Sequence, residues 1–139
     1  MIVTEEIWIV HADGASRGNP GPAAIGASVL DSGGREVHTV SERIGRATNN
    51  EAEYRSAIAG LEAALALGAR SVELRLDSEL VVRQLEHRYR VRNERLRPLF
   101  NRLVDLRRRF DSFSVTAVPR ARNARADALA NQALDSAPQ

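Results

Sequence analysis

Residues 50–77 read "NEAEYRSAIAGLEAALALGARSVELRLD", and the change of period inside this stretch decides the fold. Ala57, Ile58, Leu61, Ala64 and Leu65 fall at 3.6-residue spacing, which predicts a helix, and Gly68 is placed to end it as a C-cap. "SVELRLD", residues 71–77, then alternates as a strand and stops on an aspartate. A helix that leads directly into a strand is part of a right-handed crossover, the connection that joins parallel strands. The strand it pairs with must lie upstream.

Upstream, "EIWIVHAD" (6–13) predicts a first strand ending at Asp13, and "AAIGASVLD" (23–31) a second. "REVHTVSERI" (35–44) predicts a third, after the Gly33-Gly34 turn. Hairpin-linked strands alternate in direction, so the first and third run up and the helix from Asn50 descends. The fourth strand then runs up beside the free edge of the first. Asp13 and Asp77 therefore share one end of adjacent parallel strands, with Glu51 and Glu53 at the helix N-terminus nearby. Downstream, "SELVVRQLEHRY" (78–89) predicts a short helix. "ERLRPLFNRLVDLRRRF" (94–110) predicts a longer one, with Leu96, Leu99, Phe100, Leu103 and Leu106 on one face and Pro98 tolerable only in its first turn. "SFSVTAV" (112–118) is a fifth strand whose direction parity leaves open. "NARADALANQALDS" (123–136) is a closing helix, and 135–139 a frayed tail. The class is α/β with a mixed sheet.

At 139 residues one domain spanning 1–139 is expected. The absence of cysteine excludes disulfide scaffolds and thiolate metal sites and fits a cytoplasmic address. No apolar run approaches membrane-spanning length, and "MIVTEE" carries acid where a signal peptide carries base. Every basic side chain is arginine, which eliminates a P-loop lysine, a Schiff base and a Ser-Lys dyad. The net charge of +2 conceals an asymmetry. Residues 1–82 hold seven Arg and twelve acids, residues 83–125 thirteen Arg and four acids. A basic block beside an acidic one fits a polyanion partner and a separate metal or proton site.

Each candidate acid, taken singly, has a structural explanation. Asp13 suits an Asp-Gly turn, and Asp77-Ser78 suits a helix cap. Thr48-x-x-Glu51 and Asn50-x-x-Glu53 both have capping-box spacing, and Asp127 complements a helix dipole. Together they point elsewhere. Glu53 shares a helix face with Ala57, Gly60 and Ala64, a small-residue stripe suited to close approach to the sheet. Three like charges at one sheet end are costly unless a cation neutralises them. Hard oxygen ligands without cysteine suit Mg²⁺ or Mn²⁺, and two such ions about 3.5–4 Å apart serve phosphodiester hydrolysis. Other chemistries fit worse. "GASRGNPGP" is not G-x-G-x-x-G, and Pro20 and Pro22 remove amides from any phosphate cradle. His11, His38 and His87 have no zinc spacing, and no G-x-S-x-G is present.

The motifs "DGASRGNPGPAAIGA", "TNNEAEYRSAIAGLEAAL", "LRLDSELVVRQL" and "PRARNARADALANQA", in this order and over nearly the whole chain, resemble the type 1 ribonuclease H family. The resemblance implies a ribonuclease H-like fold, a five-stranded mixed β-sheet flanked by helices. It implies endonucleolytic hydrolysis of the RNA strand of an RNA–DNA hybrid, leaving 5′-phosphate and 3′-hydroxyl ends. Asp13, Glu53, Asp77 and Asp127 become the catalytic metal-binding acids, and Glu51 is discarded. Gly14, Ala15, Ser16, Asn19, Asn49 and Asn50 become the nucleic-acid contacts, with Ser78, Glu79, Arg120, Arg122 and Asn123 alongside. Asn offers both donor and acceptor to a 2′-hydroxyl. Asn50 is also a possible N-cap.

Three departures from the family pattern stand out. Glu79 occupies a position where the family often has glutamine, so it would repel phosphate or join the metal cluster. The loop "AVPRARNARAD" lacks the histidine many members carry, and Arg120 or Arg122 stands in its place without being a general base. Between the helices ending near Tyr89 and starting near Arg95 there is no room for the basic helix that longer members use as a handle. "RYRVRNERLR" is a partial substitute, and salt-sensitive binding is expected. The hybrid is the expected partner, with double-stranded RNA a second candidate. A monomer without membrane contact is expected. The rival readings are a non-catalytic hybrid- or double-stranded-RNA-binding module and another nuclease of the same superfold.

Overall fold

The crossover expected from residues 50–77 is present in the computed structural model, which describes residues 6–87 and 90–136. Strands β1 (Ile7–Ser16), β2 (Gly21–Leu30) and β3 (Glu36–Ala47) precede helix α1 (Asn49–Ala66) and strand β4 (Ser71–Leu76). Helices α2 (Glu79–Leu85) and α3 (Arg97–Arg107), strand β5 (Ser112–Ala117) and helix α4 (Ala124–Asp135) follow, with a 3₁₀ turn over Arg120–Asn123 before α4. The sheet order is β3-β2-β1-β4-β5. The pairs β1–β2 and β2–β3 are antiparallel, while β4 is parallel to both β1 and β5. The structure thus supplies the direction of β5 that parity left open.

Several boundaries differ from expectation. β1 continues past Asp13 to Ser16, because Asp13–Ser16 extend the antiparallel ladder opposite Ala23–Gly26. Gly14, Ala15 and Ser16 are therefore strand residues, and the Gly/Pro punctuation is confined to residues 17–20, closed by Arg17 N donating to Pro22 O at 2.8 Å. β3 runs on to Ala47 through an irregularity opposite Ala23/Ala24, where Gly45 adopts φ +80°. α2 ends at Leu85; the expected extension to Tyr89 reaches residues 88–89, outside the described residues, as does most of the expected frayed tail. α3 begins only at Arg97, which puts Pro98 in the first turn, where its missing N–H is harmless.

The two sheet faces are covered differently. A Cβ on Gly60 would lie 2.6 Å from Val10 Cγ1, so α1 rests directly on β1. A Cβ on Gly26 would lie 2.2 Å from Ala126 O and 2.5 Å from Ala130 N, so α4 rests on β2. Gly26 pairs with Asp13, of opposite parity to Val10, so α1 and α4 lie on opposite faces and Asp13 points to the α4 side. Between α1, α3 and the sheet, Leu61, Leu74, Leu103 and Leu106 are fully buried, each contributing about 1.5–3 kcal/mol. Tyr54 Oη donates to Gln84 Oε1 at 2.5 Å and ties α1 to α2 within this layer. Among the described residues no helix is long and apolar enough to cross a membrane.

Candidate active site

The acids converge because neighbouring residues perform the local structural roles that would otherwise occupy them. At the start of α1, Thr48 is the N-cap: Glu51 N donates to Thr48 Oγ1 at 3.2 Å, and Thr48 N to Glu51 Oε1 at 3.1 Å. The backbone amide of Thr48 holds the Glu51 carboxyl below its ordinary range. The capping box is thus Thr48–Glu51, which leaves Glu53 free and makes Asn50 a helical residue rather than the cap. At α2, Ser78 accepts Val81 N at 3.3 Å as N-cap, which leaves Asp77 free at the end of β4.

Asp13, Glu53 and Asp77 each offer one carboxylate oxygen within 4.8 Å of the others. Asp13 and Glu53 are buried, Asp77 half-buried. Gly14 makes this approach possible. A Cβ there would lie 2.2 Å from Ala52 C and 2.4 Å from Glu53 N, so only glycine lets β1 touch the first turns of α1. Gly14 N then donates to Glu53 Oε1 at 3.1 Å, while the buried Oε2 has no hydrogen-bond partner among the described residues. Two ionised carboxylates offer each other no donor, so the Asp13–Glu53 contact is repulsive. Burial above all, and then Glu53, Asp127 and Asp77, raise the Asp13 pKa far above the ordinary carboxylate range. Burial raises Glu53 as well, with Asp13 and the Gly14 amide acting the other way.

A cleft of about 410 Å³ opens over these acids, lined by Gly14, Ala15, Ser16, Asn49, Arg120 and Asp127 among others. Asp127, in the first turn of α4, accepts Asn131 Nδ2 at 3.2 Å, and Arg120 Nη2 lies 3.8 Å from it. Asn19 Oδ1 accepts Asn49 N at 3.0 Å, and Ser16 Oγ donates to Ala47 O at 2.8 Å, so turn, strand and helix are locked around the rim.

The remaining predicted residues divide. Asn19 is exposed and Asn50 half-buried at the helix start. Arg122 is exposed and does not line the cleft, unlike Arg120. Glu79 is exposed, lies outside the carboxylate cluster and lines a separate groove with Arg83 and Thr116. Asn123 requires a correction: it is 1% exposed, so its side chain presents no surface to a nucleic acid. It is buried because the 3₁₀ turn folds its carboxamide under the strand ends, where Nδ2 donates to Ala12 O at 2.9 Å. Sequence reading overlooked Arg17 and Asn131, which also line the cleft. Asn131 lies four residues after Asp127, a spacing that places both on one helix face.

A mixed five-stranded sheet of this order, with carboxylates at the ends of its two central parallel strands, defines the ribonuclease H-like class. The sequence matches the family described as reverse transcriptase-like over residues 11–133. Ribonuclease HI of Halobacterium salinarum is 52% identical over 130 residues, covering 92% of this chain and 65% of that protein. The crystal structure of RNase H1 from that archaeon superposes with a TM-score of 0.91 at 50% identity, over 94% of this chain and 99% of the other. A bifunctional protein of Mycobacterium tuberculosis is 47% identical over 132 residues, 94% of this chain but 36% of its own length. LC11-RNase H1 in complex with RNA/DNA hybrid has a TM-score of 0.86 at 40% identity, over 92% of this chain and 96% of that one. The chain belongs to the type 1 ribonuclease H family. It spans about two thirds of the halobacterial relative and about a third of the mycobacterial one.

Proposed function

We propose that this chain hydrolyses the RNA strand of RNA–DNA hybrids endonucleolytically, leaving 5′-phosphate and 3′-hydroxyl ends. The observation that carries this reading is the convergence of Asp13, Glu53 and Asp77 within 4.8 Å under a cleft that Asp127 also lines. A relative with the same fold binds an RNA/DNA hybrid in its crystal structure, which supports the choice of substrate. The donor set fits hard divalent cations: it is all oxygen, and the buried Glu53 Oε2 is a lone-pair donor without a hydrogen-bond partner among the described residues. Asp13, Glu53, Asp77 and Asp127 would hold two ions, Mg²⁺ or Mn²⁺, which when bound activate a water and stabilise the leaving oxygen.

The chain's own residues do the rest. Gly14 N fixes one oxygen of Glu53, and the other, buried, has no protein donor among the described residues. Asn131 orients Asp127 without neutralising it. In this reading backbone at Gly14–Ser16 and the carboxamides of Asn19, Asn49 and Asn50 meet 2′-hydroxyls across the shallow minor groove of the hybrid. Arg120 is positioned to hold phosphate or the outgoing strand but not to accept a proton. The arginines at 90–97 engage the duplex backbone in place of a longer handle. Action as a cytoplasmic monomer belongs to the same proposal.

The test is cleavage of an end-labelled RNA–DNA hybrid with Mg²⁺ or Mn²⁺, wild type beside Asp77→Asn, with DNA duplex and double-stranded RNA as controls. Cutting confined to the RNA strand of the hybrid, and lost both in the variant and in chelator, is the expected result. Tight binding without cutting under either metal would make the protein a binding module, and cutting of the DNA duplex would assign another nuclease activity.

A further inference from the structure

We propose that Asn123 is a positioning residue whose carboxamide bridges the split between β1 and β4 and so fixes the gap across which Asp13 and Asp77 face each other. The parallel ladder between these strands runs only from Ile7↔Ser71 to His11↔Arg75. Beyond it β4 stays with the β5 side, where Leu76 O accepts Val118 N at 2.8 Å, while β1 stays with β2 as far as Ser16. Both acids lie in the split that results. The Asn123 side chain fills it: Nδ2 donates to Ala12 O at 2.9 Å on one side and lies 3.4 Å from Asp77 Oδ2 on the other. One nitrogen thus touches the residue before Asp13 and the carboxylate of Asp77.

Two ordinary explanations of this asparagine are removed by the geometry. Asn123 stands at the head of α4 but makes no side-chain cap hydrogen bond. At 1% exposure it does not reach solvent or substrate. Its chemistry suits the bridging role, because a neutral amide donor orients a carboxylate while leaving its full charge for a cation, whereas arginine would neutralise it. Asn123 Oδ1 is buried, and the His11 side chain of β1 interacts with the same carboxamide, so the amide is tied to β1 through both Ala12 and His11.

This inference rests on the metal-dependent reading of the site, so the experiment separates the two. Mn²⁺ binding to the hybrid-free protein is measured by titration calorimetry, together with kcat and KM on a hybrid, for wild type, Asn123→Ala, Asp77→Asn and the double variant. The expected result for Asn123→Ala is about 10–100-fold weaker Mn²⁺ binding and a similar fall in kcat, with hybrid KM within about twofold of wild type. In the Asp77→Asn background the same substitution should cost clearly less Mn²⁺ affinity than in wild type, since the carboxylate it orients is gone and only the Ala12 side of the bridge remains. Equal losses in both backgrounds, or wild-type affinity in Asn123→Ala, would overturn the positioning role alone. A wild-type protein that binds no Mn²⁺ and cuts no hybrid would overturn the parent reading and this inference with it. If the alanine variant does not fold, Asn123→Ser carries the same cycle with the same expected non-additivity.

Discussion

The cleft and the connector between α2 and α3 are both clusters of like charge, and they differ in burial. In the cleft, Asp13 and Glu53 are withdrawn from water, and that burial raises both pKa values. Along the connector and at the first residue of α3, Arg90, Arg92, Arg95 and Arg97 are all exposed, and none forms a salt bridge among the described residues. Elsewhere the exposed arginines are often paired, as Arg102 is with Glu62 and Arg125 with Glu36. Buried repulsion is poorly screened, so it is relieved either by a tightly held cation or by a proton retained on one of the acids. Exposed repulsion is screened by salt and costs little, so the arginines are available for loose contact with a polyanion. The same kind of clustering is therefore the proposed ion site in one region and the proposed salt-sensitive surface in the other.

The largest expected effect tests the cleft directly. Asp77→Asn removes a charge from the cluster and should lower kcat on a hybrid by roughly a thousandfold, as measured by strand cleavage. Next in size is the glycine that permits the cluster. Gly14→Ala forces a Cβ into the α1 backbone and should lower stability by about 3 kcal/mol or more in denaturant titration. Gly34→Ala meets no atom within 4 Å and strains only a turn at φ +84°, so it should lose about 1 kcal/mol. Equal losses at the two sites would remove the close-approach argument.

The pH dependence of stability follows from the raised acids. A carboxyl with a folded pKa above its unfolded value holds a proton in the native state that the unfolded chain releases. Stability should therefore be greatest below about pH 4 for this contribution and fall as pH rises towards the raised folded values of Glu53 and Asp13. In chelator the melting temperature should decline from pH 5 to pH 9, and Mn²⁺ should remove most of the decline. A flat profile in chelator would mean that the acids are not strained by burial.

The connector supplies the smaller effects. Arg90→Ala and Arg92→Ala should each reduce the slope of log affinity against log salt by about one, with kcat unchanged. An unaltered slope would leave these arginines as a solvated surface. Smallest of all, Glu79→Gln should tighten hybrid binding by less than about 1 kcal/mol, because Glu79 is exposed and water screens it. Unchanged affinity would place it away from phosphate.

Much of this was legible in the sequence because the relevant patterns are local. The 3.6 period over Ala57–Leu65, the alternation in 71–77 and the hairpin punctuation gave the element order. Connectivity alone brought Asp13 and Asp77 to one strand end. The ambiguities were also local. Thr48–Glu51 and Asn50–Glu53 have the same spacing, and no composition rule chooses between them. The stretch after Asp13 is so rich in glycine and proline that a loop was the natural reading. Its ladder with Ala23–Gly26 is a contact between segments separated by the turn at 17–20.

By itself, then, the sequence determined that Asp13 and Asp77 share one strand end and in what order the strands and helices occur, because periodicity and hairpin parity are properties of short segments. The tertiary structure alone decided which acids are free. β3 delivers the chain at Ala47 so that Thr48 becomes the cap, and Ser78 takes the cap at α2. It alone also gave β5 its direction and buried Asn123 under the split between β1 and β4. Capping and burial depend on where distant segments meet, and that information resides in the packing of α1 and α4 on opposite faces of one sheet.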